Sequence, residues 1–252
     1  MAEPSHSTLV LFGELVQQPR VSGSMTSPEP YNPLDLDALG DSLLRQLERQ
    51  PTAPLDDVAR FTGAGIYALY FHGRSDPYAD IGEFNRKHGC LIPLYVGRAR
   101  HAGARKGLDP FEAVTGTPLW GRVQEHRRSI ENTDLRISDF SVRVLVCMPI
   151  WIPLAEGMMI RRYSPLWNTT VDGFGIHAPG SGRAGQQRSR WDVLHPGRSF
   201  ARDLTPSEVR LTPALLEEVR RASRQIVRRA TALLEQTVPD TGAPSEQRLP
   251  RA

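Results

Sequence analysis

Apolar and polar positions along this chain switch repeatedly between helical and extended periods. Over residues 35–50 (DLDALGDSLLRQLERQ), Leu36, Leu39, Leu43, Leu44 and Leu47 recur every three or four residues, which predicts an amphipathic helix ended by Pro51. A linker bounded by Pro54 and Gly63 leads into Gly65–Phe71 (GIYALYF), an apolar and aromatic run that reads as the first clear strand. Residues 72–90 are polar and turn-rich and are expected to form an excursion between strands, with Leu91–Gly97 as the second strand. A Gly-rich basic loop over 98–118 precedes a helix expected from Leu119 to Ser129. Phe140–Met148 (FSVRVLVCM) alternates and then turns wholly apolar, the pattern of a buried strand. Trp151–Tyr163 reads as a helix whose early Pro153 suits a first turn. Residues 164–203 carry Gly, Pro, Ser, Arg and Gln with little periodicity and predict a long functional or disordered loop. Leu215, Leu216, Val219, Ile226, Val227, Leu233 and Leu234 then mark a long amphipathic helix over 213–236.

These blocks divide the chain into a flexible N-terminal arm (1–30), a central domain (31–205), a C-terminal helical extension (206–237) and a tail of disordered composition (238–252). Such a chain suffices for one core of roughly 100–200 residues with attached segments. Twenty-one Gly and twenty-one Pro make turns plentiful. No apolar run approaches the ~20 residues that span a bilayer, which argues against a membrane partner. Leu9–Phe12 is short, is followed closely by Glu14 and lacks a preceding basic segment, so it makes a poor signal peptide. Cys90 and Cys147, far apart in apolar surroundings, read as buried reduced thiols of a cytoplasmic protein; a disulfide or metal pair is the alternative.

The net charge of +3 says little, but its distribution says more. Residues 1–60 set four arginines against nine carboxylates (net −5), whereas 97–128 reach +4 and 172–202 reach +3. Two basic stretches in an otherwise acidic-to-neutral chain suggest a face that meets a polyanion, although a solvated basic surface accounts equally well for charge alone.

Five separated features carry the candidate chemistry. They are Gly65-Ile66-Tyr67 on the first strand, Tyr95-Val96-Gly97 ending the second, Arg122 and His126 one turn apart on a helix, Glu156 on a later helix, and Asn168 beyond it. Taken singly, each has a plain explanation. A strand tyrosine is usually a packed aromatic, an Arg and a His four apart are usually solvated, and Glu156 could simply pair with Arg161 or Arg162.

Their order is distinctive, and in it the chain resembles the GIY-YIG nucleases. Within that superfamily it is most similar to the type II restriction branch. The shared stretches are Tyr31-Asn32-Pro33-Leu34-Asp35, Gly65–Tyr70, Pro93–Gly97, Gly173-Phe174-Gly175, Gln186-Gln187-Arg188-Ser189 and Trp191–Arg198. The second motif reads Tyr-Val-Gly rather than Tyr-Ile-Gly, and Tyr67 and Tyr95 lie farther apart than in the minimal module, an insertion the restriction branch tolerates. The resemblance implies an α/β (α+β) fold: a central, largely antiparallel three-stranded sheet flanked by helices, with insertions and helical terminal extensions.

It also implies a catalytic set of Tyr67, Tyr95, Arg122, His126, Glu156 and Asn168. Glu156 would hold one divalent cation per active site, Mg²⁺, and Arg122 would bind phosphate through its planar fork. Tyr67 would be the general base with His126 as rival or tuner, Tyr95 would position water or phosphate, and Asn168 would fix local structure. DNA contacts are expected from Arg98, Arg100, Arg105, Lys106, Arg183, Gln186, Gln187, Arg188, Arg190 and Arg198, because Arg can read guanine and Gln adenine. The implied activity is sequence-specific cleavage of double-stranded DNA at a short palindrome, G/C-only in known relatives. Each subunit of a homodimer would cut one strand, with a cognate DNA methyltransferase as functional partner. The alternatives are a GIY-YIG nuclease for branched or damaged DNA, against which the lack of a zinc-finger or helix-hairpin-helix pattern counts, and a DNA-binding module without activity.

Overall fold

The computed structural model describes residues 35–100, 115–176, 186–206 and 211–236. The predicted N-terminal arm and C-terminal tail lie outside these residues, as do Tyr31–Leu34, Arg105, Lys106 and Arg183.

The sheet grows from its most apolar strand. Strand β2 (Gly65–Phe71) is buried along its whole length, so it must be paired on both edges and covered on both faces. Its partners are β3 (Tyr95–Ala99) and β4 (Phe140–Val146), both antiparallel. A two-residue strand, β1 (Ala53–Pro54), adds to the outer edge of β4, so the order is β1-β4-β2-β3. The sheet therefore has four strands where three are expected. The fourth is short and contains Pro54, which reads as a linker in sequence but is tolerated on an edge.

Helix α1 (Leu36–Glu48) is capped by the Asp35 side chain, which accepts the Asp37 N–H. It packs on α4 (Ile152–Tyr163). Helix α3 (Pro118–Glu131) begins with proline in its first turn and buries Leu119, Val123, His126 and Ile130. Residues 72–90, the expected excursion between two strands, contain α2 (Ala79–His88), which ends on the left-handed Gly89. Helix α8 (Pro213–Gln236) lies against α2, with Leu215, Val219 and Ala230 buried. It therefore covers the core of its own chain.

The segment 164–203 differs most from expectation. Its described residues form three short helices, α5 (Leu166–Thr169), α6 (Arg190–Leu194) and α7 (Ser199–Arg202). The first two helices and the turn that carries Phe174 place Trp167, Phe174 and Trp191 inside the protein beside Phe71 and Phe140. Three aromatics spaced too widely to show a period still form a core when short helices and a turn bring them to one side.

Both cysteines are free and half-buried, and burial raises each thiol to about 11. Among the described residues no helix is long and apolar enough to cross a membrane.

Candidate active site

Strand pairing does the first work of assembly. Tyr67 on β2 stands opposite Gly97 on β3 and Val144 on β4. Residues opposite each other share a face, so Gly97 leaves a gap beside the Tyr67 ring. A Cβ at position 97 would overlap the Tyr67 hydroxyl, which gives the glycine of Tyr-Val-Gly a steric reason. Helix α3 crosses this face and brings the His126 Nε2 to 2.5 Å from the Tyr67 hydroxyl. The Tyr95 ring completes the cluster, its centroid 6.1 Å from Tyr67 and 5.2 Å from His126.

The cluster is dry. Tyr67 is fully buried and His126 is 2% exposed. Burial is the main reason the Tyr67 phenol stays protonated well above its ordinary range; Tyr95 adds to the effect and the Arg122 cation opposes it. Tyr95 is raised for the same first reason, with Arg122 opposing and the Glu156 carboxylate adding. Arg122 donates to the Gly175 carbonyl at 2.6 Å and pairs with Glu125 at 2.7 Å. Four expected residues from three elements therefore meet around one phenol oxygen.

Glu156 enters from a further element, near enough for its charge to act on Tyr95. It projects from α4 and pairs at 2.8 Å with Arg98, which alternation places on the opposite face of β3 from Tyr95. Its carboxyl is raised, chiefly by burial, while Arg98 and Arg100 pull it down. Asn168 acts on the same strand. Its Oδ1 accepts the Val96 N–H and its Nδ2 donates to the Val96 carbonyl, both at 2.8 Å. The side chain thus takes the place of a neighbouring strand.

A family model described as the Eco29kI GIY-YIG domain matches residues 59–223, more than half of the chain. The chain belongs to this GIY-YIG restriction endonuclease family. It is a DNA nuclease by family, and the match runs from before β2 into α8. No curated protein matches the chain.

Within this GIY-YIG chain the residues expected to touch DNA separate into groups. Arg98 is partly exposed and Arg100 exposed beside Glu156. Gln187 is exposed, while Arg190 pairs with Glu218 and Arg188 donates to the Ala201 carbonyl. Gln186 keeps a buried Oε1 without a hydrogen-bond partner. Arg198 does not face outward, because it is 3% exposed and is held by Asp192 and three backbone carbonyls. That corrects its expected role as a DNA contact. Phe174 and Gly175 were not expected at the centre, yet Phe174 stacks on His126 at 4.3 Å and Gly175 accepts from Arg122. Their only trace in sequence is the Gly-Phe-Gly run.

The donor set bears on which cation the site would accept. Among the described residues no group of three or more His, Cys, Asp or Glu could enclose a metal, so a structural zinc site is a poor fit. A half-buried carboxylate such as Glu156 is a donor that a hard ion of the Mg²⁺ kind would accept.

Proposed function

We propose that the protein is a type II restriction endonuclease that hydrolyses double-stranded DNA at a short palindromic site. Glu156 would hold one Mg²⁺ per active site. The observation that carries this reading is the convergence of Tyr67, His126, Tyr95 and Arg122 in one buried cluster, beside a strand whose other face leads to Glu156.

Hydrolysis needs a deprotonated water, a countercharge for the phosphoryl oxygens and a route for the leaving 3′-oxygen. A free Tyr67 phenolate is not the resting base, because burial keeps the phenol protonated. With the Nε2 of His126 at 2.5 Å, Tyr67 can instead take the water's proton while passing its own to the imidazole. Arg122 sets a permanent positive charge against the oxygen that becomes negative during this transfer. Tyr95 lines the approach and orients water or phosphate. When bound at Glu156, the cation supplies Lewis-acid stabilisation to the phosphate and leaving oxygen. Arg98, which pairs with Glu156 and is exposed, would be available to a DNA phosphate.

A palindromic site calls for a homodimer on DNA, each subunit cutting one strand, and a cognate methyltransferase protects the host sites. Incubation with plain duplex plasmid and Mg²⁺ tests the reading. Discrete fragments with uniform ends are expected. Cutting confined to branched or damaged DNA would move the protein to the repair branch, and binding without cutting would make it an inactive DNA-binding module.

A further inference from the structure

We propose that the buried Asp192–Arg198 ion pair is a positioning device for the nuclease centre, acting through the segment 173–176 on His126, Arg122 and Tyr95. The inference rests on the roles given above to those residues.

The pair is bidentate. Arg198 Nε donates to Asp192 Oδ1 and its second terminal nitrogen to Oδ2, each at 2.7 Å. Both side chains are almost wholly removed from solvent. The same guanidinium donates to the carbonyls of Gly173 (3.0 Å), Phe174 (3.0 Å) and Ile176 (3.1 Å). It is packed between the Trp191 and Phe200 rings, 4.6 and 4.8 Å from their centroids. One side chain thus gathers three of the four carbonyls in a four-residue segment.

The fourth carbonyl points the other way. Gly175 O accepts from Arg122 at 2.6 Å. Phe174, between the gathered carbonyls, lays its ring on His126 with planes 23° apart and meets the Tyr95 ring edge-on at 4.9 Å. A Cβ on Gly175 would overlap the Tyr95 hydroxyl, so only glycine brings the backbone this close. The outer side of the segment is fixed by Arg198, and its inner side touches three members of the cluster.

Stability alone is a weak reason for such a pair. Removing two charges from water is costly, and apolar replacements of similar volume are often as stable. A planar fork instead sets backbone geometry in a way that lysine, with one compact ammonium, does not reproduce. A displacement near 1 Å at a catalytic group costs about 10²-fold in rate, so a bracket of this kind is worth its burial.

The test uses Arg198→Lys and, because that variant risks misfolding, Phe174→Leu, which leaves the ion pair intact. The His126 imidazole resonances, displaced by the Phe174 ring current, are followed by NMR without DNA. Single-turnover cleavage is measured beside DNA affinity in buffer without divalent cation. In both variants the His126 signals should move toward those of free histidine. Cleavage should fall about 10²-fold while DNA affinity stays close to native. Unmoved His126 signals in a folded Arg198→Lys variant, whose Phe174 ring is intact, or native cleavage in Phe174→Leu, would overturn the proposal. So would an Arg198→Lys variant whose affinity falls in step with its rate while His126 stays in place, since Arg198 would then be a DNA contact. If the native protein cuts no DNA the nuclease reading fails, whereas the His126 signals still decide whether the bracket positions the imidazole.

Discussion

Among the described residues two tyrosine–histidine pairs lie buried, and they differ in what surrounds them. Tyr67 and His126 meet at 2.5 Å, Tyr78 and His195 at 2.7 Å, and burial raises both phenols. Around Tyr67 the opposing influence is the Arg122 cation, which favours a negative oxygen. Around Tyr78 the charges are Asp134 and Asp76, which disfavour one. The second pair is also enclosed by Trp167, Phe71 and Trp191. Identical hydrogen-bonding groups thus sit in fields of opposite sign, which suits the proposed chemistry at the first pair and packing at the second.

Breaking the carboxylate side of the comparison should give the largest effect. Glu156→Ala is expected to abolish metal-dependent cleavage of duplex DNA while retaining DNA binding, read from a plasmid digest and a gel-shift titration. Persistent cleavage would remove Glu156 from the mechanism.

A third buried phenol extends the comparison. Tyr163 donates to Glu48, whose carboxyl is raised to about 7, chiefly by burial, against the pull of Tyr163 and nearby arginines. The folded protein therefore holds this proton more tightly than the unfolded chain, where the ordinary value is 4.5. The contribution to stability is fully present below pH 4.5 and is lost as pH rises toward 7, a difference of about 3 kcal/mol. Glu48→Gln keeps an acceptor for Tyr163 and removes the titration. Subtracting its unfolding free energies from native values across pH 4–8 should reveal that decline, and a flat difference would refute it.

Tyr78→Phe leaves the buried His195 without its phenol partner. Denaturant melts should show a loss of about 1–3 kcal/mol, with cleavage below the melting range unchanged. A large loss of activity in the folded variant would erase the distinction between the two pairs. The smallest effect belongs to Asp134→Ala. Asp134 is 76% exposed and 3.3 Å from His195, so its removal should cost less than ~1 kcal/mol in the same melts.

The sequence made β2 legible because seven consecutive buried positions leave a continuous apolar and aromatic run. Helix α8 was equally legible, since its stripe holds over 24 residues. Helix α2 was not, because its apolar contribution reduces to Ile81 and Phe84 around Gly82. At the site, the order of Tyr67, Tyr95, Arg122 and His126 could be read, whereas the hydrogen bond between Tyr67 and His126 depends on how α3 crosses the sheet. Arg198 was misread for a physical reason. In a Gly- and Arg-rich stretch an arginine looks solvated, and its burial follows only once Asp192 and the carbonyls of 173–176 close around it.

The central claim is that Tyr67 and His126 form the proton-accepting pair of a nuclease. Its most direct test is the single-turnover cleavage rate of Tyr67→Phe across pH with saturating Mg²⁺, measured beside native protein. Loss of the relay predicts a rate roughly 10²–10⁴-fold lower throughout, with the protein folded and DNA still bound. Cleavage within a few-fold of native across the range would contradict it and leave His126 to take the water's proton without the phenol.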